Sequence, residues 1–418
     1  MINKSIFAAI TGAVFECYNS ALYGFLAVSL APLFFPDLTN FYKSLASYSA
    51  FAAGFILRPL GGALFGHIGD KWGRKTSLKI TALLTAIPAL IISITPTYQT
   101  IGLLAPIVLF SCRLIQGISV GSDYIGAVIV IFEQNNHKNK SIITSLLVAL
   151  GFFGSAIGVG IAVLSTLPFM PLWGWRIPFM IGGLASLFAF YLRFNMKETA
   201  AYLNAKKEKR ITKSPLKDFL KGNMKLFITC CIFGGMELIP IFLATVYMNF
   251  EFKNLLSFST TDILINNFIL LLLSVIMVLL AKKIISKYGE ILIIKICMYW
   301  YILFSIPLYF WAFNNPSTCS LFLLQLFIMA GDIPQFVALI SLMPKFFPTE
   351  WRYSAMGLSF SIGHALIGGM TPIFASLLVV MTNQTWAPGY LLFISSLIYL
   401  ATLYYAKNHF IKPNSIIV

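Results

Sequence analysis

Gly66-His67-Ile68-Gly69-Asp70-Lys71-Trp72-Gly73-Arg74-Lys75 joins two long apolar stretches, at about 45 to 68 and 79 to 98. Each stretch meets the roughly 20 apolar residues that a membrane-spanning helix needs. The loop between them is too short for anything but a tight reversal. Its glycines allow that turn and let helices approach closely. Asp70, at a helix end, is placed to pair with a cation or with the start of a neighbouring helix. Such a contact can be made in one conformation and broken in another. Lys71, Arg74 and Lys75 give this loop the charge of a cytoplasmic one.

Working outward, the whole chain repeats the pattern. Of 418 residues, 58% are hydrophobic and 11% charged, with a mean hydropathy of +0.84. One soluble core cannot hide that much apolar surface, so lipid is the solvent. A bilayer leaves only helices or a closed barrel, and barrel strands alternate apolar with polar residues. This sequence does not alternate: Phe268 to Leu280 is apolar but for Ser274, and Ile125 to Phe132 has no polar side chain. The hydropathy predicts twelve helices, at about 5 to 31, 45 to 68, 79 to 98, 102 to 132, 141 to 166, 173 to 194, 223 to 250, 260 to 285, 290 to 313, 317 to 343, 352 to 382 and 386 to 408.

The net charge of +16 lies almost wholly on one side of these spans. Lys4, the group Lys71, Arg74, Lys75 and Lys79, then Lys138, Lys140, the loop from 195 to 222, Lys282, Lys283, Lys287, Lys295, Lys345, Arg352, Lys407 and Lys412 share that side. Opposite them stand Lys43, Arg176 and Lys253. Positive-inside placement accounts for the excess, puts both termini in the cytoplasm, and makes nucleic acid an unneeded partner. The first span has no signal-peptide cleavage site and is expected to stay as a helix. Cys17, Cys112, Cys230, Cys231, Cys297 and Cys319 fall inside spans without metal-ligand spacing and read as inert thiols.

Between 195 and 222 the composition turns abruptly polar. That expected cytoplasmic linker separates an amino-terminal six-helix bundle, 1–194, from a carboxy-terminal one, 223–418, with a short tail. Transporter folds are built from such repeats. Ile284-Ile285-Ser286-Lys287-Tyr288-Gly289-Glu290, after the eighth span, faintly echoes the loop after the second.

The loop at 66–75 resembles the signature loop of the major facilitator superfamily. The resemblance implies an all-α membrane protein with twelve transmembrane helices in two pseudo-symmetric six-helix bundles. It also implies a gating role for Gly66, Asp70, Gly73, Arg74 and Lys75, with Asp70 and Arg74 bracing the outward-facing state. Further stretches resemble one branch, the metabolite:proton symporters that include proline/betaine, oxoglutarate, citrate and shikimate carriers. These are Gly12 to Gly24, Phe34-Phe35-Pro36, Phe51 to Gly62 with Arg58-Pro59, Arg113 to Tyr124, Trp173 to Phe179, and Phe346-Phe347-Pro348-Thr349 with Arg352, Gly368, Gly369 and Pro372. The chain departs from the branch at Asn19 and Lys345, where the branch has acids, and at Asp123, where it has Glu. The implied function is secondary active import of a small organic solute, a carboxylate or zwitterion such as an amino acid, betaine or organic acid. It would proceed by proton symport with alternating access, in the inner membrane, without a cofactor and as a monomer. A uniporter or exchanger is the alternative. A channel fits the two-half pattern less well, a sensor lacks an output domain, and no nucleophile, metal or phosphate motif of an enzyme occurs.

Charges inside the membrane are costly and mark candidate sites. Glu16, Asn19 and Tyr23 make a polar stripe on the first helix; Arg113, Gln116, Val120 and Asp123 make one on the fourth. In the functional reading Glu16, with Asp123, exchanges a proton while Arg113 and Gln116 hold a substrate carboxylate. In the structural reading Glu16 and Arg113 simply form an ion pair. Glu237 and Asp332, near Pro240 and Pro334, are the candidates in the second half, and an interhelical hydrogen bond is an equal alternative for each. Arg58, before Pro59, reads as a kink partner, and His364 reads as a packing residue able to titrate near neutral pH. Tyr18, Tyr23 and Tyr124, with Phe15, are candidates for an aromatic wall suited to a quaternary ammonium.

Overall fold

The computed structural model describes residues 3–35, 54–134, 140–165, 167, 169–212 and 214–410. Among the described residues there is no strand, because apolar segments in lipid must satisfy their own backbone groups. The spans are α1 (Lys4–Phe34), α2 (Arg58–Trp72), α3 (Arg74–Ile94), α4 (Leu104–Gln134), α5 (Lys140–Ser165) and α6 (Arg176–Phe194). Then follow α7 (Pro215–Phe242, continued to Leu256), α8 (Thr260–Tyr288), α9 (Glu290–Asn314), α10 (Thr318–Leu342), α11 (Arg352–Gly363, continued to Thr382) and α12 (Gly389–His409). The expected start of the second span, from about 45 to 53, lies outside the described residues, as do Lys43, Lys138 and Pro36.

One expectation needs extension. A short helix opens at Pro215, a first-turn position that needs no N–H. It bends at Asn223, where φ −127° and ψ 27° are not helical, and the seventh span starts there as expected. The loop from 195 to 222 also contains a helix, Ala200–Lys207, whose start is capped by the Thr199 hydroxyl.

Three helix interruptions shape the interior. Arg58 and Pro59 open α2 after a turn at Leu57, as expected where proline removes a backbone donor. Pro240 in α7 precedes a π turn, Leu243–Tyr247, and α11 holds another at His364–Gly368. Such bulges recur at functional sites.

Helix contacts obey a shift of six. α1 packs on α5, and α7 on α11; α3 packs on α6, and α9 on α12; α3 also packs on α4, and α9 on α10. The seam obeys it as well, with α2 against α11 and α8 against α5. The loop echo is structural too. Gly73 links α2 to α3 at φ 105° and ψ 151°, and Gly289 links α8 to α9 at φ 80° and ψ 159°. Only glycine adopts that backbone readily, so the same one-residue reversal occurs in both halves.

Candidate functional site

At the linker end, α2 is pressed against α11 through glycines. A β-carbon at Gly66 would lie 2.6 Å from the Ser354 Cα, and one at Gly69 would lie 2.0 Å from the Tyr353 ring. That approach delivers Asp70 to the first turn of α11. Its carboxylate accepts the backbone N–H groups of Tyr353 at 3.2 Å and Ser354 at 2.7 Å, where the helix dipole favours an anion. Arg74 Nη1 stands 3.1 Å away on the other side.

Arg74 is fully buried and spends every guanidinium nitrogen. It donates to Glu133 at 3.1 and 2.9 Å, to the Gly69 carbonyl at 2.9 Å and to the Thr349 carbonyl at 2.7 Å. Arg352 reaches the same Glu133 at 2.9 Å, and the Thr199 hydroxyl donates to it at 2.6 Å. Asp70, Arg74, Glu133 and Arg352 thus alternate in sign, which is what lets four charges share a dry site. Glu198 completes the group by accepting the first backbone N–H groups of α3, those of Arg74 and Lys75, at 3.1 Å each. Burial holds its carboxyl above the usual range, against the pull of those bonds. Lys75 contributes its backbone here, while its ammonium lies 6.0 Å from the Phe194 ring. Gly73 supplies the reversal. Glu133 and Tyr353 were not singled out by the sequence; Glu133 carried a signal, an acid closing a span beside a basic loop.

Beyond this closed end, a cavity of about 540 Å³ lies between the halves. It extends to Lys253 and Thr260, at the α7–α8 connection on the opposite end of the molecule. Glu16, Arg58, Tyr124, Glu237, Asp332 and His364 give its wall polarity. Glu16 accepts from the Ser20 hydroxyl at 3.2 Å. The Arg58 guanidinium lies 3.7 Å from the Phe55 ring centroid. His364 Nε2 is 3.3 Å from Glu237 Oε2, close enough for an ion pair but out of line for a hydrogen bond. Tyr124 stacks on Phe336, and Phe55 meets Phe242 edge-on, so aromatic faces from both halves surround the charges.

Several expected site residues point elsewhere. Arg113 does not line this cavity: it donates to Gln116 at 2.7 Å and sits 4.3 Å over the Tyr23 ring. Tyr18 donates to the Pro178 carbonyl, and Asn19 to Ser186 and the Gly182 carbonyl, both on α6. The stripe on α1 therefore divides. Glu16 and Ser20 face the cavity, whereas Asn19 and Tyr23, also four residues apart, face the bundle. Asp123 is held by Arg193 at 2.5 and 2.9 Å and by the Thr81 hydroxyl. Arg193 reaches it because Gly12 leaves the space that a side chain would fill. The ion pair weighed for Glu16 and Arg113 is absent among the described residues; deep in this bundle Asp123 pairs with Arg193.

Two pseudo-symmetric helical bundles around a polar cavity, closed at one end by contacts that separation of the bundles would break, define a membrane transporter of the alternating-access class. The chain belongs to the Major Facilitator Superfamily, whose family model matches residues 17–372. It is 30% identical over 422 residues to the proline/betaine transporter of Escherichia coli (strain K12), covering 96% of this chain and 82% of that protein. It is 29% identical over 435 residues to the glycine betaine/proline/ectoine/pipecolic acid transporter OusA of Dickeya dadantii, covering 99% of this chain and 84% of that protein. Among solved structures it resembles the proton:xylose symporter XylE, with a TM-score of 0.79, 19% identity, and coverage of 98% and 96%. Family and relatives are transporters, not enzymes, and the chain is a secondary active transporter of small organic solutes.

Proposed function

We propose that this chain imports a small zwitterion of the proline or betaine class together with a proton. The observation that carries this reading is the wall of the 540 Å³ cavity, a volume within the roughly 300–1,000 Å³ usual for small-molecule sites. One guanidinium, Arg58, stands among the carboxylates Glu16, Glu237 and Asp332 and the aromatic faces of Tyr124, Phe55 and Phe336. A zwitterion matches that set: its carboxylate suits the planar fork of Arg58, and its ammonium suits the acids and rings. In this reading Arg58 takes the role that the sequence gave to Arg113. The names of the relatives in Escherichia coli and Dickeya dadantii favour the same solute class.

Positive-inside charge makes the linker end cytoplasmic, so a closed linker end and a cavity reaching Lys253 read as the outward-facing state. Transport then follows by rocking of 1–194 against 223–418, tethered by 195–222, with Asp70 and Arg74 released on each cycle. A single chain suffices, since both sides of the cavity come from it. The three cavity acids are the candidates for moving the proton.

The test is uptake into proteoliposomes of labelled glycine betaine and proline, beside oxoglutarate, citrate and shikimate, with and without an inward proton gradient. Accumulation of the zwitterions that collapses with the gradient is expected. Transport of the di- and tricarboxylates alone, or zwitterion uptake indifferent to the gradient, would refute the assignment.

A further inference from the structure

We propose that the transported proton is held between Glu237 and His364, in the carboxy-terminal half, and that Arg58 links its binding to that of the substrate. The proposal rests on the symport reading above and assigns it a place. Glu237 Oε2 and His364 Nε2 are 3.3 Å apart, and neither atom has a hydrogen-bond partner although both are buried. A proton taken up by the pair, with a turn of the imidazole that brings donor and acceptor into line, satisfies both at once. Glu16, by contrast, already accepts from Ser20, and Asp123 is committed to Arg193 and Thr81.

The pair is built on special backbone. His364 opens the π turn His364–Gly368, and Glu237 precedes Pro240 and the π turn Leu243–Tyr247. Glycines clamp the two helices together: a β-carbon at Gly363 would lie 2.2 Å from the Cys231 carbonyl oxygen, and one at Gly368 would lie 2.4 Å from Leu238 Cβ. The separation of the two side chains is therefore fixed by backbone contact. α11 also carries Tyr353 and Ser354, the residues that hold Asp70 at the closed end. A charge change at His364 is thus felt by the helix that forms the latch.

The charged and titratable groups around the pair explain its coupling to substrate. Arg58 faces it from α2, Glu16 from α1, Tyr124 from α4 and Asp332 from α10, all along the same cavity; Tyr399 from α12 lies near Glu237 and Cys297 from α9 near Asp332. With neutral imidazole and ionised Glu237 the pair carries one negative charge. Taking one proton from the outer solution brings it to zero, and no other bond forms or breaks. The Arg58 cation opposes that uptake while its charge is unanswered. A substrate carboxylate on Arg58 removes the opposition, so each ligand strengthens the binding of the other. After the cavity turns to the other side, departure of the carboxylate restores the repulsion and expels the proton.

Purified full-length protein titrated calorimetrically with glycine betaine, in two buffers of different ionisation enthalpy, reads the number of protons taken up per substrate. The wild type is expected to take up protons, and Glu237→Gln to bind betaine without proton uptake and with an affinity that no longer varies with pH. His364→Gln keeps a donor toward Glu237 but cannot hold the proton; its binding should shift in pH midpoint by about one unit or more, and this variant decides if Glu237→Gln does not hold substrate. Wild-type proton uptake in Glu237→Gln, or an unmoved midpoint in His364→Gln, overturns the assignment while leaving symport intact. No proton uptake by the wild type overturns the symport reading itself.

Discussion

Replacing Asp70 by Asn should open the linker end without unfolding the protein. In the structure its carboxylate accepts two backbone N–H groups at the start of α11, from Tyr353 and Ser354, and faces Arg74 at 3.1 Å. The amide of Asn has one acceptor oxygen, and its NH2 group would meet the second N–H donor head-on. One charge-assisted hydrogen bond is lost, about 1.5–3 kcal/mol, and with it an anion at a helix start, about 0.3–2 kcal/mol. Arg74 keeps Glu133 and two carbonyls, so its burial remains compensated. A combined loss of roughly 3 kcal/mol amounts to about a hundredfold in the ratio of closed to open linker ends. Because these bonds exist only when α2 touches α11, the loss falls on one conformation and spares each bundle. Spin labels at Thr76 on α3 and Ser286 on α8, one at the linker end of each bundle, in a cysteine-free background report the separation of the two bundles there. Asp70→Asn should move the distribution outward and depress uptake while the melting temperature in detergent stays near that of wild type. A distance distribution unchanged by the substitution, together with normal uptake, would refute the latch.

Arg58→Lys, which keeps charge but loses the planar fork, should weaken betaine binding about tenfold or more, whereas Arg113→Lys should leave the dissociation constant near wild type; the reverse order would return the carboxylate to Arg113. Arg193→Gln strands the buried Asp123 and should destabilise the fold by roughly 3–5 kcal/mol, part of which Asp123→Asn in the same chain recovers; a thermal melt that finds no recovery would show the two side chains to be independent. Gly66→Val should prevent closure of the linker end, since even its β-carbon meets the Ser354 backbone, and a crosslink between α2 and α11 forming at the wild-type rate would contradict this. Glu198→Ala removes the acceptor for two N–H groups at the start of α3 and should cost about 1 kcal/mol, read as a lower melting temperature.

The cavity was only half legible in advance. Glu16, Tyr124, Glu237 and Asp332 were expected at a site and do line it, because a carboxyl or a polar ring within a span has few other stable places. Arg58 looked like a companion of Pro59, and the helix break beside that proline is what presents its guanidinium to the cavity. Arg113 looked like the ligand because it shared a polar stripe with Gln116, yet that Gln116, one turn along the same helix, is its partner. His364 read as packing until the π turn brought it to Glu237.

The sequence by itself determined the twelve spans, their helical nature, the two-half plan, the reversing glycine loop and the family. Those features follow from hydropathy, chain direction and local turn chemistry, and each span satisfies its backbone without reference to its neighbours. Only the tertiary structure decided which polar side chains meet. Successive residues on a helix turn by about 100°, which leaves Glu16 and Asn19 about 60° apart, enough for one to face the cavity and the other the bundle, and hydropathy does not record the rotation. Residues far apart in the chain become partners through the fold: Glu133 meets Arg74 inside one bundle, and Glu133 meets Arg352, or Asp70 meets Ser354, only where glycines let helices of the two bundles touch.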